Sequence, residues 1–289
     1  MSIKATSFCA VPVAMAAIVC FTVPVAASAA DFGPGSDRFF IAAGWFPSTF
    51  STKVRVDNKN LDLGDKIDLE NDLGLKDSSN AFYGAFTWRF FKRHRLAVSY
   101  YDFHRGNSGQ AEGDLEIGDK IIPVGAKVNT TFDVNIFPIA YSYSFVQGEK
   151  VEFSGSIGVH WSDIRFGVNG KGFLGEGGEV NEFDDSAKAS ASAPLPLLGL
   201  GVDYWITPRW LAIADGQYFQ LSLSDDTFDY KGSLTNIRIA TEYVPYKGLG
   251  IGIAYNWFAM DVDVEDNKWY GRLEYEYYGP QIYATYRFK

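Results

Sequence analysis

Apolar and polar residues alternate one by one along much of this chain, the period that a pleated strand imposes. Phe82, Gly84, Phe86, Trp88 and Phe90 share one face, with Tyr83, Ala85, Thr87 and Arg89 on the other. After Lys92-Arg93-His94 the apolar face resumes at Leu96, Val98 and Tyr100. Val151, Phe153, Ile157, Val159 and Trp161 alternate with Glu152, Ser154, Ser156, His160 and Ser162. Leu198 to Ile206 leads into Thr207-Pro208-Arg209, and Ile237 to Tyr243 leads into Pro245-Tyr246-Lys247-Gly248. Each short polar link between two such runs reads as a tight hairpin; Gln147-Gly148-Glu149-Lys150 is the fourth. The alternate connections, 58–79, 107–125 and 171–187, are longer and rich in Gly, Asp and Glu. Only those near Asp225-Asp226 and Glu265-Asp266-Asn267 should be tight.

The last stretch places Ile282, Ala284, Tyr286 and Phe288 on one face, and Gln281, Tyr283, Thr285 and Arg287 on the other. A final strand whose apolar face ends in aromatics resembles the closing strand of bacterial outer-membrane β-barrels. In that family a terminal Phe serves as an assembly signal; here Phe288 is followed by Lys289. The resemblance implies an all-β fold, a transmembrane antiparallel up-and-down β-barrel in a Gram-negative outer membrane. It implies outer-membrane lipid and lipopolysaccharide as surroundings, with Tyr286 and Phe288 read by the barrel assembly machinery. Short turns at one end and longer loops at the other match the periplasmic and extracellular ends of such barrels. Four hairpins, a closing strand and a first strand from Arg38 to about Asp57 make ten strands. A turn at Pro47-Ser48-Thr49 would raise the count to twelve; a strand-edge proline or a bulge is the simpler reading. Two strands change phase, at Pro138 and at Gly279-Pro280. β-bulges produce such slips, and so does a strand leaving the lipid.

Residues 1–29 read as a secretory signal peptide exported through the Sec pathway. Lys4 is the basic start, Cys9–Val25 the apolar core and Ala27-Ser28-Ala29 the cleavage site, leaving residues 30–289 as one barrel domain. Both cysteines lie in the leader, so closed backbone pairing must replace disulfides. Without Lys4 the chain carries 25 basic and 35 acidic residues, which argues against a nucleic-acid partner. The acidic loops are compatible with divalent cations at the outer rim and equally with plain solubility. The mature part has no run of 18 apolar residues, whereas its aromatics suit the interfacial girdles of a barrel.

Candidate chemistry follows from facing. Arg89, Glu152, His160, Asp203, Asp215, Arg238 and Glu242 fall on inward faces, because a lipid-facing Arg or Lys costs ~2–4 kcal/mol near the midplane. They make either a selective pore or a paired, hydrogen-bonded plug, and ten strands leave little space, which favours the plug. Some outer-membrane barrels of this size are proteases with an Asp-His pair at the outer rim. Asp102 and His104 share a face near an outer strand end and are the weak catalytic candidates here. The loop from Asp57 fails the EF-hand spacing, because Lys59 and Leu61 stand at ligand positions, and Gly170–Gly178 is not a phosphate loop. No metal site and no cofactor is predicted. The expected function is structural or porin-like with a largely plugged polar lumen; a rim hydrolase and a loop-based adhesin or receptor are the alternatives.

Overall fold

A computed structural model describes residues 33–58, 66–72, 74–110, 115–117, 120–122, 127–174, 181–225, 228–266 and 269–289; the leader expected over 1–29 lies outside them. Among the described residues thirteen strands follow one another: β1 (Phe39–Asn58), β2 (Ile67–Asp68), β3 (Ser78–Phe91), β4 (His94–Gln110), β5 (Leu115–Ile117), β6 (Lys120–Ile122), β7 (Lys127–Gln147), β8 (Val151–Leu174), β9 (Asn181–Thr207), β10 (Trp210–Asp225), β11 (Phe228–Tyr246), β12 (Leu249–Asp266) and β13 (Trp269–Phe288). All but β2, β5 and β6 form one antiparallel wall in sequence order. β13 closes it on β1, from Phe39 opposite Phe288 to Asn58 opposite Trp269. The barrel therefore has ten wall strands. β1 runs straight through Pro47-Ser48-Thr49, so the twelve-strand alternative falls. β10 and β11 pair up to Asp225 opposite Phe228, and β11 pairs with β12 up to Phe228 opposite Asp266. β2 lies against Lys53 and Val54 of β1, and β5 and β6 form a separate small hairpin.

The long strands explain the outer half of the molecule. β8 and β9 have 24 and 27 residues. At ~3.3 Å per residue and ~45° of tilt they rise roughly 55–65 Å, more than twice the ~25 Å apolar band of such barrels. Only the lower half thus meets hydrocarbon, and side-chain polarity divides accordingly. Near the short turns the outward positions are apolar: Ile41, Trp45, Ile139, Ile157, Leu200, Ile239, Ile253 and Ile282 each expose 41–69% of their surface. Toward the long-loop end the outward positions become polar, with Asp102, His104, Asp133, Arg165, Asp261, Arg272 and Glu274. There the apolar side chains point inward instead: Phe46, Phe50, Phe103, Phe132, Ile136, Phe258, Met260, Tyr275 and Tyr277 are all buried.

This inversion, and not a bulge, accounts for the phase changes at Pro138 and Gly279-Pro280. The β7–β8 ladder passes Pro138 without a shift, with Phe137, Pro138 and Ile139 opposite Trp161, His160 and Val159. The β12–β13 ladder likewise keeps step through Gly279 and Pro280. No residue is inserted; the solvent changes on the two faces, and the apolar parity changes with it. Of the two explanations open at the sequence level, leaving the lipid is the correct one, and it does more than remove the need for an apolar face. With water outside, the hydrophobic effect drives the apolar residues into the lumen. The actual register shifts lie beside the short turns, at Arg89/Phe91, Ser144/Val146, Trp210/Leu211 and Tyr243/Tyr246.

Candidate functional site

The lower lumen holds a network of ion pairs built on inward positions of seven strands and the entering chain. Glu152 on β8 accepts from both Arg89 guanidinium nitrogens, at 2.9 and 3.2 Å, from the Ser144 hydroxyl, and from the Gly35 amide at 3.0 Å. Arg95 lies directly opposite Arg89, and Asp203 directly opposite Glu152. Like charges in such positions repel, but the quartet is crossed: Arg95 pairs with Asp203 at 3.0 Å and approaches Glu152 at 3.8 Å. On the next two strands Asp215 faces Arg238 across the β10–β11 ladder at 3.6 Å. Arg238 donates to the Tyr283 hydroxyl at 2.8 Å, and that hydroxyl donates to Glu242 at 3.0 Å. Arg287 completes the ring, bonding Glu242 and, at 3.0 Å, Asp37. Tyr283 can lie across the wall to β11 because its cross-strand neighbours are Gly44 and Gly252. A Cβ at either would collide with Tyr283.

The network brings together six of the seven lumen residues read from the sequence; His160 stands apart. Its ring stacks on Phe258 with centroids 4.8 Å apart, and its Nδ1 lies 3.2 Å from the Ser162 hydroxyl. His160 thus belongs to the next layer up. There Phe258 stacks on Tyr277 at 4.7 Å, Tyr277 meets Phe103 at 4.9 Å, and Phe103 meets Phe46 and Phe50 at 5.9 and 5.2 Å. A cavity of about 230 Å³ runs through the ion network up to the aromatic layer, with Arg89, Glu152, Arg238 and Arg287 on its wall below and Tyr101 and Tyr277 above. Residues 33–38 line its opposite end through Gly33, Gly35 and Asp37.

A cap lies above the aromatic layer. Arg105 is buried, with its guanidinium 4.3 Å from the Phe50 centroid and 5.0 Å from that of Phe132. It bonds Glu70 at 2.5 Å and the Thr52 hydroxyl at 2.7 Å. These contacts hold the turn at 69–72 over the mouth, where Leu69 and, further on, Leu75 are buried. The turn over 69–72 is closed by the Asp72 amide on the Asp68 carbonyl. The Asp68 and Asp72 carboxylates accept the Asn71 and Asp68 amides, which accounts for two acids of this loop.

Asp102 and His104 lie on the outer wall above the apolar belt, not in the lumen. His104 Nε2 is 2.9 Å from Asp102, and Nδ1 is 2.9 Å from Asp133 on β7. The hydrogen bond to Asp133 and the nearby Asp102 charge raise the His104 pKa above its ordinary value. Both ring nitrogens are engaged, so in this arrangement neither is free to take a proton from water. Because the folded-state pKa lies above the unfolded one, the imidazolium's contribution is complete below the unfolded value, about 6.5, and fades as pH rises through the folded value. The side chain is 65% exposed and screened by water, so the contribution is small. A histidine ring titration by NMR should show His104 titrating above pH 6.5, and Asp133→Asn should move it down. A midpoint at or below the ordinary value would contradict the clamp.

The site also contains Arg95, Arg287, Asp37, Arg105 and Glu70, which are not among the candidates read from the sequence. Arg287 shows an inward parity in the closing strand, and Arg95 shares the inward face of its hairpin, so facing alone could have found them. Asp37 precedes the alternation, and Glu70 lies in a loop with no period. The outward facing of Tyr286 and Phe288 agrees with the sequence; their rings meet edge to face at 4.4 Å.

No protein-family model matches the chain, and no curated protein sequence matches it. Among solved structures, the outer-membrane protease OmpT of Escherichia coli is similar with a TM-score of 0.55, at 11% identity, over 86% of this chain and 97% of its own. The outer-membrane protein OprG of Pseudomonas aeruginosa has a TM-score of 0.37 at 12% identity, over 88% of this chain and 98% of its own. The toluene transporter TodX of P. putida has a TM-score of 0.36 at 10% identity, over 89% and 92%. The likeness is one of fold: this chain is a β-barrel of the bacterial outer-membrane type.

Proposed function

We propose that the protein is a non-conducting structural barrel of the Gram-negative outer membrane, with its lumen closed at two levels. The single observation that carries this is the inward aromatic layer of Phe46, Phe103, Phe258 and Tyr277, whose ring centroids lie 4.7–5.9 Å apart where a pore would need water. Below it, four arginines are paired with five carboxylates, so the lower charges serve each other before any passing solute. The porin-like alternative requires both levels to open. Lipid and lipopolysaccharide are the proposed surroundings, and the assembly machinery is proposed to read Tyr286 and Phe288. Divalent cations at the acidic loops remain part of the proposal where those loops face solvent.

Planar-bilayer recordings on refolded protein test the reading. Closed-lumen protein gives no discrete conductance steps in salt, whereas reproducible steps in the unmodified protein would overturn it. A rim hydrolase is the second reading, favoured by the likeness to a protease fold. It requires a cleavage activity that His104→Ala abolishes; an activity unchanged in that variant removes His104 from it.

A further inference from the structure

Where the barrel closes, the wall pairing is interrupted at a point where two prolines meet. β1 and β13 pair from Phe39/Phe288 to Trp45/Ile282 and again from Thr49/Tyr278 onward, in the same register. In that register Pro47 stands opposite Pro280, and the ladder is interrupted between the two runs. The β1–β3 ladder on the other side of Pro47 is unbroken, as is the β12–β13 ladder beside Pro280. Both prolines therefore turn their missing donors toward the seam. Since each N–H of such a pair serves the opposite carbonyl, the Pro47 and Pro280 carbonyls both lose their ladder donors. In a barrel wall every backbone acceptor needs a partner, because hydrocarbon supplies none.

A groove opens over this point, lined by Pro47, Thr49, Ser78, Asn80, Tyr255, Tyr278 and Pro280 among others, with a volume of about 370 Å³. Its height is informative. Below it the outward wall is Ile41, Trp45, Ile253 and Ile282; above it on the same strands stand Lys53, Asp261, Arg272 and Glu274. Tyr255 and Tyr278 flank it, each outward and more than a third exposed, at the level where aromatic girdles meet head groups. The groove is thus half lipid-facing and half polar, and carries hydroxyl and amide side chains beside two donor-poor carbonyls.

We propose that this seam groove binds one glycolipid of the outer leaflet, resting on the outer-membrane reading above. The occupant is an amphiphile with hydroxyl or N–H donors on a sugar head group and acyl chains that continue down the apolar wall. The head-group donors meet the proline carbonyls with Asn80 and Ser78 alongside, and the chains lie against Tyr278 and the belt below. A phospholipid offers fewer donors at that height and is the weaker fit.

Native mass spectrometry of barrel refolded with lipid A, the phosphorylated glucosamine lipid, tests the site. Wild type should retain one lipid A per barrel, and Pro47→Val/Pro280→Val, which restores both ladder donors, should lower occupancy about tenfold, the scale of one or two lost hydrogen bonds. Asn80→Ala/Ser78→Ala leaves the ladder untouched and should lower it in the same direction, so the test survives a proline variant that fails to fold. Equal occupancy in wild type and a folded variant overturns the site, as does equal retention of phosphatidylethanolamine. Sucrose-gradient fractionation of cells separates the two ideas: wild type absent from the outer membrane fails the parent reading itself, whereas normal fractionation with unchanged lipid A retention fails the groove alone.

Discussion

Glu152→Ala is expected to destabilise the barrel by about 3–5 kcal/mol, because truncating one partner of a buried ion pair leaves the other charge unpaired. Glu152 is nearly inaccessible and binds Arg89, Ser144 and the Gly35 amide together, so its loss strands an arginine that is itself buried. It also removes the counter-charge that lets Arg89 and Arg95 sit opposite each other. The measurement is equilibrium urea unfolding in lipid vesicles, followed by tryptophan fluorescence. The charge argument has a sharper corollary in a double variant. Arg89→Met/Glu152→Leu removes both charges and should recover much of the loss, since a buried pair contributes little net stability against apolar side chains of similar volume. A double variant as unstable as the sum of its singles would mean that shape, not charge, is what Glu152 supplies.

Phe103→Ala should cost about 3–5 kcal/mol as well, for a different reason. Phe103 is wholly buried among Phe46, Phe50, Tyr101 and Tyr277, and the surrounding wall is held by its own ladder and cannot collapse into the void. The loss combines the transfer of a ring with the cavity left behind. Ile253→Ala in the lipid-facing belt loses transfer energy only, because acyl chains close over the shortened side chain. Thermal unfolding of the two variants in the same vesicles gives the comparison. Equal losses would place Phe103 in contact with lipid or solvent and contradict an inward core.

The strand number and most facings were legible because a period of two survives whatever solvent bathes each face. Phe82 to Phe90 and Ile282 to Phe288 read correctly, for hydrocarbon lies outside them and polar groups within. Phe132, Ile136, Tyr275 and Tyr277 read as a slip because periodicity reports where apolar side chains point only once the solvent on each side is known. Six of the seven proposed lumen residues met in one network for the same reason: charge on a lipid-facing wall is costly, so inward parity places it. His160 shares that parity but lies at the height where the lumen turns aromatic, and no local signal marks that boundary. The pairing of Arg105 with Glu70 across a loop, and of Arg287 with Asp37 across the seam, joins residues 35 and 250 positions apart. Such partners follow from barrel closure and from no stretch of chain read alone.

The central claim is that polarity reverses with height: apolar outward and charged inward below, apolar inward and charged outward above. Spin labels at single cysteines along β12 test it most directly, since both native cysteines precede residue 30. Labels replacing Ile251, Ile253 and Tyr255 should collide with oxygen dissolved in lipid, and labels replacing Ala259, Asp261 and Asp263 with a water-soluble nickel chelate. Lipid-type accessibility at Asp261 and Asp263, or aqueous accessibility at Ile253, would contradict the account.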